Sequence, residues 1–130
     1  MPEYQTEGSS GLDLRAYEAV DLAPMERKLV RTGVRIAIPP GYEGQVRPRS
    51  GLAMRYGLSM VNTPGTIDSD FRGEVHVLLI NLGSEVVKLS EGERIAQLVV
   101  CPVARAAVRV VASLDDTKRG EGGFGSTGTS

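Results

Sequence analysis

Turn-forming residues interrupt this chain at frequent intervals. Sixteen glycines and seven prolines are spread through 130 residues, and they separate apolar runs of roughly four to eight residues. Apolar and polar side chains alternate within these runs, most clearly over residues 34–38, Val-Arg-Ile-Ala-Ile, which a Pro-Pro-Gly sequence closes. A period of two places successive side chains on opposite faces of a strand. The pattern therefore predicts an all-β fold of the sandwich, barrel or jelly-roll type.

The same alternation locates the individual elements. We predict strands in residues 12–16, 28–31, 34–38, 42–47, 58–62, 74–81, 86–89, 94–103 and 106–113. One short helix is predicted over Ser50–Tyr56, because Ser50 is a favourable N-cap and Gly57 can take the left-handed conformation that ends a helix. A helix of about two turns is stable only when it packs against the rest of the fold.

Length and charge exclude several classes of protein. A chain of 130 residues and 13.9 kDa has the size of one domain, and its net charge of −1 gives no global field for gripping nucleic acid. No apolar stretch approaches the roughly 20 residues of a membrane helix, and the N-terminus does not resemble a signal peptide. We therefore expect a cytoplasmic protein with neither a nucleic-acid nor a membrane partner.

Two residue types occur once each. Cys101 cannot form an internal disulfide and has no partner at metal-ligand spacing, so we interpret it as a small buried residue of a strand. His76 alternates with valines as a strand residue would. A Ser-His-Asp triad and a histidine-rich zinc site are therefore disfavoured.

Two segments have the chemistry of an anion site. The predicted helix begins with Ser50 and Gly51, just after Arg47 and Arg49, an arrangement that suits a phosphate; the alternative is a capped surface helix near unrelated arginines. The second segment is the glycine-rich C-terminus, which has the composition of a flexible linker. It contains Arg119 and an aromatic residue, so it is either plainly disordered or an arm that becomes ordered on a nucleotide.

Five segments in this order carry a family resemblance. They are residues 10–16 (SGLDLRA), 48–53 (PRSGLA), 62–74 (NTPGTIDSDFRGE), 94–98 (RIAQL) and the tail 119–128. Together they resemble the motifs of the trimeric dUTPase family, whose members hydrolyse dUTP to dUMP and pyrophosphate. The resemblance spans most of the chain.

The resemblance implies a fold and an assembly. We expect a distorted β jelly roll, or β-clip barrel, with one short helix over residues 1–118, and a flexible arm over residues 119–130 that closes over the active site. The family assembles as a homotrimer in which each active site is built from three subunits. The hairpin in residues 62–81 is expected to hold uracil with backbone groups, a slot that rejects cytosine because polar groups would be left unpaired.

The resemblance also assigns roles to individual residues. The residues expected to bind substrate are Arg49, Ser50, Gly51, Asn62, Gly65, Thr66, Ile67, Phe71, Gln97, Arg119, Phe124, Gly125, Ser126 and Thr127. Ser50, Gly51 and Gln97 would meet phosphates, and Asn62 would add a side-chain hydrogen bond to the base. In the arm, Phe124 would stack on uracil, while Arg119 and Ser126 would meet phosphates. Arg49 could instead form an ion pair between subunits.

Asp68 matches the family's essential carboxylate, which contacts the 3′-hydroxyl and deprotonates the attacking water. Its plainer interpretation is a residue that caps the turn in Ile-Asp-Ser-Asp. Phe71 stands where the family more often has tyrosine, and its ring is expected to pack under the deoxyribose and exclude a 2′-hydroxyl. A core aromatic is the alternative.

A magnesium ion bound mainly by the triphosphate and water is also implied, because Mg²⁺ retains much of its hydration. Asp13 would meet it through water. The expected reaction is in-line attack of an Asp68-activated water at the α-phosphorus. Its biological effect would be to limit uracil incorporation into DNA and to supply dUMP for dTMP synthesis.

Two departures from the family pattern and two competing functions remain. Only nine residues precede the first motif, where relatives usually carry another strand, and Cys101 follows the fourth motif with no evident function. The dCTP deaminases share part of the pattern, but their glutamate aligns with Leu78, which cannot transfer a proton. A non-catalytic trimer that binds nucleotides or a protein partner is the second rival.

Overall fold

The computed structural model describes residues 1–129; Ser130, the last residue of the predicted arm, lies outside the described residues. Within the described part of the chain there are nine strands and one helix. In chain order these are β1 (Leu12–Arg15), β2 (Val20–Leu22), β3 (Arg27–Arg35), β4 (Tyr42–Pro48), α1 (Ser50–Tyr56), β5 (Leu58–Met60), β6 (Gly65–Ile67), β7 (Glu74–Asn81), β8 (Val87–Leu89) and β9 (Arg94–Pro102).

The strands form three antiparallel sheets around one core. The largest has the order β1-β9-β4-β6, a second has the order β3-β7-β5, and β2 pairs with β8. Alternate residues of β7 are buried, as the period-two pattern predicts. Side chains from all three sheets meet in the core, among them Leu14, Leu22, Val30, Val77, Leu79, Ile95 and Leu98. The predicted all-β jelly roll with one short helix is confirmed.

The helix has the predicted bounds but not the predicted cap. Arg49, with an extended backbone, occupies the N-cap position and makes no side-chain capping bond, so the assignment of Ser50 as N-cap is wrong. Ser50 is already the first helical residue. At the other end Gly57 has φ of 71° and its N–H donates to the Ala53 carbonyl, as expected for a left-handed C-terminal cap.

Several strand predictions need correction. The predicted strand 28–31 and the first two residues of the predicted strand 34–38 belong to one longer strand, β3, whose pairing with β7 shifts register between Arg31 and Arg35. Residues 36–38 lie beyond the end of β3 and form no strand. Gly33 lies within the irregularity with φ of 70°, and a glycine there permits the chain to bulge. The strands β2 and β6, of three residues each, were not predicted.

Cys101 is only partly buried, so its interpretation as a buried core residue is wrong. It lies near the end of β9, opposite Glu43 of β4. The burial pattern of β9 changes after Val99, where the strand extends beyond the core.

The predicted strand 106–113 is absent from the described chain. The N–H of Val103 donates to the Gly41 carbonyl, and the following residues have no strand partner within residues 1–129. Val108 and Val110 are 92% and 95% exposed. The apolar residues of this segment do not form a strand, because a strand requires another strand that hydrogen-bonds to it. No helix formed by residues 1–129 is long and apolar enough to cross a membrane.

Candidate active site

A polar pocket of about 330 Å³ lies where β1 and β9 meet the start of α1. Pairing of Asp13 with Gln97 joins the first and fourth sequence motifs, and β4 leads from its pairing with β9 directly into the helix. Five predicted site residues therefore line one pocket: Asp13, Arg49, Ser50, Gly51 and Gln97. We call it the polar pocket.

Asp13 is held between two guanidinium groups. Its side chain is largely buried, and Oδ2 accepts a hydrogen bond from Arg94 Nη1 at 3.2 Å while Oδ1 lies 3.9 Å from Arg49 Nε. Arg49 also donates from Nη1 to the Arg94 carbonyl at 3.3 Å. The ion pair of Arg49 is thus made within the chain. Arg94 was not assigned a role from the sequence, although it belongs to the fourth motif.

The side chain of Gln97 is fixed across the polar pocket. Its Nε2 donates to the Pro48 carbonyl at 3.1 Å, which leaves a second amide hydrogen available. Ser50 is exposed at the start of α1, and a Cβ built on Gly51 would meet nothing within 4 Å. Because the first N–H groups of a helix have no carbonyl partner within it, the backbone here is open to an acceptor.

A second cavity of about 230 Å³ lies between β6 and β7. We call it the hairpin pocket. Its lining contains the predicted residues Asn62, Gly65, Thr66, Ile67 and Phe71, together with Leu29, Val46, Met60, Glu74, Val75 and His76. The amide of Asn62 lies over Gly65, where a Cβ would be 3.1 Å from Nδ2.

The backbone of His76 faces the gap between β6 and β7. Pairing of β5 with β7 ends at Met60 opposite Leu79, and Val61 N–H donates to the Leu78 carbonyl. Backbone groups two residues apart on a strand point to the same side. His76 therefore turns its N–H and C=O toward the side that β5 has vacated. Sequence reasoning missed this residue, because its orientation depends on where the neighbouring strand ends.

Phe71 is not a core aromatic. Its side chain is 42% exposed and it lines the hairpin pocket. Its N–H donates to the Asp68 carbonyl in a tight turn that follows β6. The turn thus connects the residue predicted to meet the sugar with the predicted catalytic residue.

The carboxylate of Asp68 is exposed, and within residues 1–129 it accepts no hydrogen bond and forms no ion pair. Its backbone carbonyl, rather than its side chain, closes the turn. Asp68 lines a third cavity, of about 540 Å³, with Tyr42, Glu43, Asp70 and Arg105 among its neighbours. The capping interpretation of Asp68 does not hold, and the carboxylate oxygens remain available to a ligand or water.

Arg31 and Glu74 form an ion pair at the edge of the hairpin pocket, and His76 lies beside it. Arg31 Nε donates to Glu74 Oε2 at 3.1 Å, Gly33 N–H donates to Oε1 at 2.8 Å, and His76 Nε2 lies 3.6 Å from Oε2. The hydrogen bond from Arg31, supported by that from Gly33, lowers the pKa of Glu74 below its ordinary value. The same pair raises the pKa of Arg31.

The C-terminal arm is folded only on itself. The hydrogen bonds of residues 119–128 span three residues each, including Arg119 Nε to the Gly122 carbonyl at 2.7 Å. Phe124 is fully exposed. The structure therefore does not bring the predicted arm residues Arg119, Phe124, Gly125, Ser126 and Thr127 to either pocket of the same chain.

The donor set does not enclose a metal ion directly. Residues 1–129 contain no group of three or more His, Cys, Asp or Glu side chains that could hold one. Asp13 faces the polar pocket with its charge balanced by Arg94 and Arg49. This arrangement fits an ion that is bound by its substrate and by water and that meets Asp13 through a water molecule.

An all-β fold with an arginine-containing polar pocket, and a narrow hairpin pocket beside an exposed aromatic ring, defines a protein suited to binding a nucleotide. The dUTPase family model matches residues 1–128. The chain belongs to the dUTPase family.

Relatives and solved structures support this assignment. A deoxyuridine 5′-triphosphate nucleotidohydrolase of Anaeromyxobacter sp. is 62% identical over 128 residues, which are 98% of this chain and 87% of the relative. The protein of the same name from Cutibacterium acnes is 59% identical over 131 residues, covering 100% of this chain and 86% of the relative.

Among solved structures, a mutant dUTPase of Staphylococcus bacteriophage 80alpha with dUpNHpp has a TM-score of 0.93 and 27% identity, covering 99% of this chain and 92% of that chain. A mutant dUTPase of phage phi11, described with a structural Mg(II) ion, has a TM-score of 0.83 and 24% identity, covering 89% of this chain and 92% of that chain. The second comparison concerns the fold alone.

Proposed function

We propose that this protein is a dUTP diphosphatase, which hydrolyses dUTP to dUMP and pyrophosphate in active sites shared between the subunits of a homotrimer. Membership of the dUTPase family supports the reaction. One observation carries the sharing of sites: the polar pocket and the hairpin pocket have no lining residue in common and lie at opposite edges of the β1-β9-β4-β6 sheet. The polar pocket has the groups that would bind phosphates, and the hairpin pocket has the groups that would bind the base and the sugar.

The extended segment after β9 supports the assembly. Val108 and Val110 flank Arg109 and are almost fully exposed. An apolar segment that forms no strand with its own chain gains pairing and burial when it lies on another subunit. The domain prediction, a body of residues 1–118 and a closing arm of residues 119–130, is part of this proposal.

The base would bind in the hairpin pocket. Uracil presents an acceptor, a donor and an acceptor along its pairing edge, and the backbone of His76 and the edge of β6 can supply the complementary groups. Asn62 would add an amide contact. Cytosine would place its amino group against a backbone donor, which leaves buried polar groups unpaired and costs about 1–3 kcal/mol for each group.

The sugar would lie against the ring of Phe71. A ring under the deoxyribose leaves no room for a 2′-hydroxyl, so UTP would be rejected by overlap rather than by a hydrogen bond. The hydroxyl of a tyrosine at this position is not needed for that exclusion.

Asp68 would act as the general base. Its carboxylate has no internal partner among the described residues, so it can accept the proton of a water that attacks the α-phosphorus in line and also hold the 3′-hydroxyl. A base fixed in a tight turn keeps the water in a reactive position.

The triphosphate would bind in the polar pocket. Ser50, Gly51 and Gln97 would donate hydrogen bonds to phosphate oxygens, and Arg49 would add positive charge nearby. A bound Mg²⁺ supplies charge neutralisation for the triphosphate and its leaving pyrophosphate. Asp13, itself held by Arg94, would orient a water of that ion.

The arm would close the site. Phe124 would stack on uracil, Arg119 and Ser126 would meet phosphates, and the flexible glycines would allow close approach to the ligand. The substrate is a free nucleotide rather than a nucleic acid, and the cytoplasm is the proposed place of action. There the reaction would limit uracil incorporation into DNA and supply dUMP for dTMP synthesis.

The experiment that tests this proposal measures pyrophosphate release from dUTP, dCTP and UTP with Mg²⁺. We expect turnover of dUTP alone, loss of about 10²–10⁴-fold in kcat for Asp68→Asn, and unchanged kcat for Glu91→Gln, an exposed carboxylate that lines none of the three cavities. A protein that binds dUTP without releasing pyrophosphate would instead be a nucleotide-binding module, and ammonia release from dCTP would indicate a deaminase. Either result contradicts the proposal.

A further inference from the structure

The ring of Phe71 rests on the backbone of Gly73. A Cβ built on Gly73 would lie 2.6 Å from Phe71 Cζ and 2.8 Å from Cε1, and its three nearest heavy atoms all belong to that ring. Carbon atoms in contact normally stay about 3.5–4.0 Å apart. Only a residue without a side chain therefore allows the ring to lie where it does.

The fold itself does not explain this glycine. Glycine is often required where φ is positive, but Gly73 is not among the positive-φ glycines of the chain. The neighbour that a methyl group would strike is a side chain with 42% exposure, which can move without disturbing the core. A structural requirement for glycine would be expected to involve backbone or core atoms, as at Gly57, where a Cβ would lie 2.7 Å from the Gly83 nitrogen.

We infer that Gly73 is a positioning residue for substrate binding: it sets the height of the Phe71 ring in the hairpin pocket and thereby the space left for the sugar. The inference rests on the proposed role of Phe71 under the deoxyribose. A methyl group at residue 73 would displace the ring by about 1 Å, and a displaced ring would change the space available to a sugar that packs on it. Gly73 acts through Phe71 and need not touch the nucleotide.

The glycines of this chain differ in what an added methyl group would contact. A Cβ on Gly11 would lie 2.6 Å from Gln97 Oε1, so this glycine lies beneath a residue of the phosphate half of the site. By contrast, a Cβ on Gly8 would meet nothing within 4 Å, and the φ of Gly8 is not positive. Gly8→Ala is therefore a matched control for the effect of adding one methyl group.

The test is a double-mutant cycle on Phe71 and Gly73, read as kcat and KM for dUTP and UTP. We expect Gly73→Ala to lower kcat/KM for dUTP by about ten- to a hundredfold, mainly through KM, because a 1 Å displacement of a positioning group can have an effect of that size. The double variant Phe71→Ala/Gly73→Ala should have the same kinetics as Phe71→Ala alone. Gly8→Ala should match the wild type.

The outcomes separate this inference from the proposed function. If Phe71→Ala changes the preference for dUTP over UTP while Gly73→Ala changes nothing, the inference is wrong and the proposed function stands. The inference is also wrong if Gly73→Ala lowers kcat/KM by the same factor in the wild type and in the Phe71→Ala variant. If Phe71→Ala itself leaves both nucleotides unaffected, the sugar role of Phe71 fails and the inference fails with it.

Thermal unfolding covers the possibility that Gly73→Ala folds poorly. If the contact with Phe71 is the cause, a Tm loss in Gly73→Ala is recovered in the double variant, where the ring is absent. A Tm loss that persists in the double variant overturns the inference.

Discussion

Two aspartates, Asp13 and Asp68, differ in their local contacts and are therefore suited to different roles. Asp13 is largely buried and lies between Arg94 and Arg49, so its charge is already balanced and it suits an anchoring role. Asp68 is exposed at a turn and pairs with nothing in residues 1–129, so it can accept a proton. The sequence predicted both positions through the family resemblance. Asp13 is paired and Asp68 is not because the pairing of β1 with β9 places Arg94 beside Asp13.

At Glu74 we predict a pH-dependent contribution to stability. The pKa of Glu74 is lowered, first by the hydrogen bond from Arg31, so the ionised carboxylate stabilises the folded state. That stabilisation is complete above the ordinary pKa of about 4.3 and disappears as the pH falls through the lowered value. In urea unfolding, Glu74→Gln should therefore be less stable than the wild type at pH 7, and the difference should shrink in acid.

The control for this measurement is Glu91→Gln, because Glu91 is exposed and makes no side-chain hydrogen bond or ion pair within the described chain. It should show little difference from the wild type at either pH. A stability gap for Glu74→Gln that is the same at pH 7 and in acid would contradict the role given to the Arg31 pair.

At the scale of elements, the C-terminal arm makes only local hydrogen bonds and adds nothing to the core. Deleting residues 119–130 should therefore leave Tm and the mass of the assembly unchanged. We expect kcat/KM for dUTP to fall by about ten- to a hundredfold, because stacking of a base on one aromatic ring is worth about 1–3 kcal/mol. Phe124→Ala in the full chain should reproduce much of the loss. Full activity after the deletion would show that the arm is only a linker.

The sequence predictions were correct for elements whose packing partners lie within the same chain. The bounds of β7 and α1 were predicted correctly, because each has a clear pattern and completes its packing within the chain. The strand predicted over 106–113 failed because no partner strand lies in the described residues. In the site, the sequence motifs identified which side chains to expect there. The free backbone edge at His76 and the contact between Gly73 and the Phe71 ring could be recognised only in the folded structure, because they depend on strand pairing and on the position of a side chain.

At the scale of the whole molecule, the chain presents two separate pockets and an exposed apolar segment after β9. The polar pocket and the hairpin pocket lie at opposite edges of one sheet, and the arm reaches neither. In the proposed homotrimer such surfaces would meet head to tail around a closed ring, so each subunit would contribute to more than one site. Shared active sites are therefore the central claim of this account.

Mixing two inactive variants tests that claim most directly. Asp68→Asn keeps an intact polar pocket, and Ser50→Ala/Gln97→Ala keeps an intact hairpin pocket and Asp68. Each variant alone should have almost no dUTP turnover. After the two are unfolded together and refolded at equal concentration, random assortment joins two intact halves in about a quarter of the sites, so about a quarter of wild-type pyrophosphate release should return, in particles that sediment as trimers. Mixed trimers that remain inactive would contradict the account.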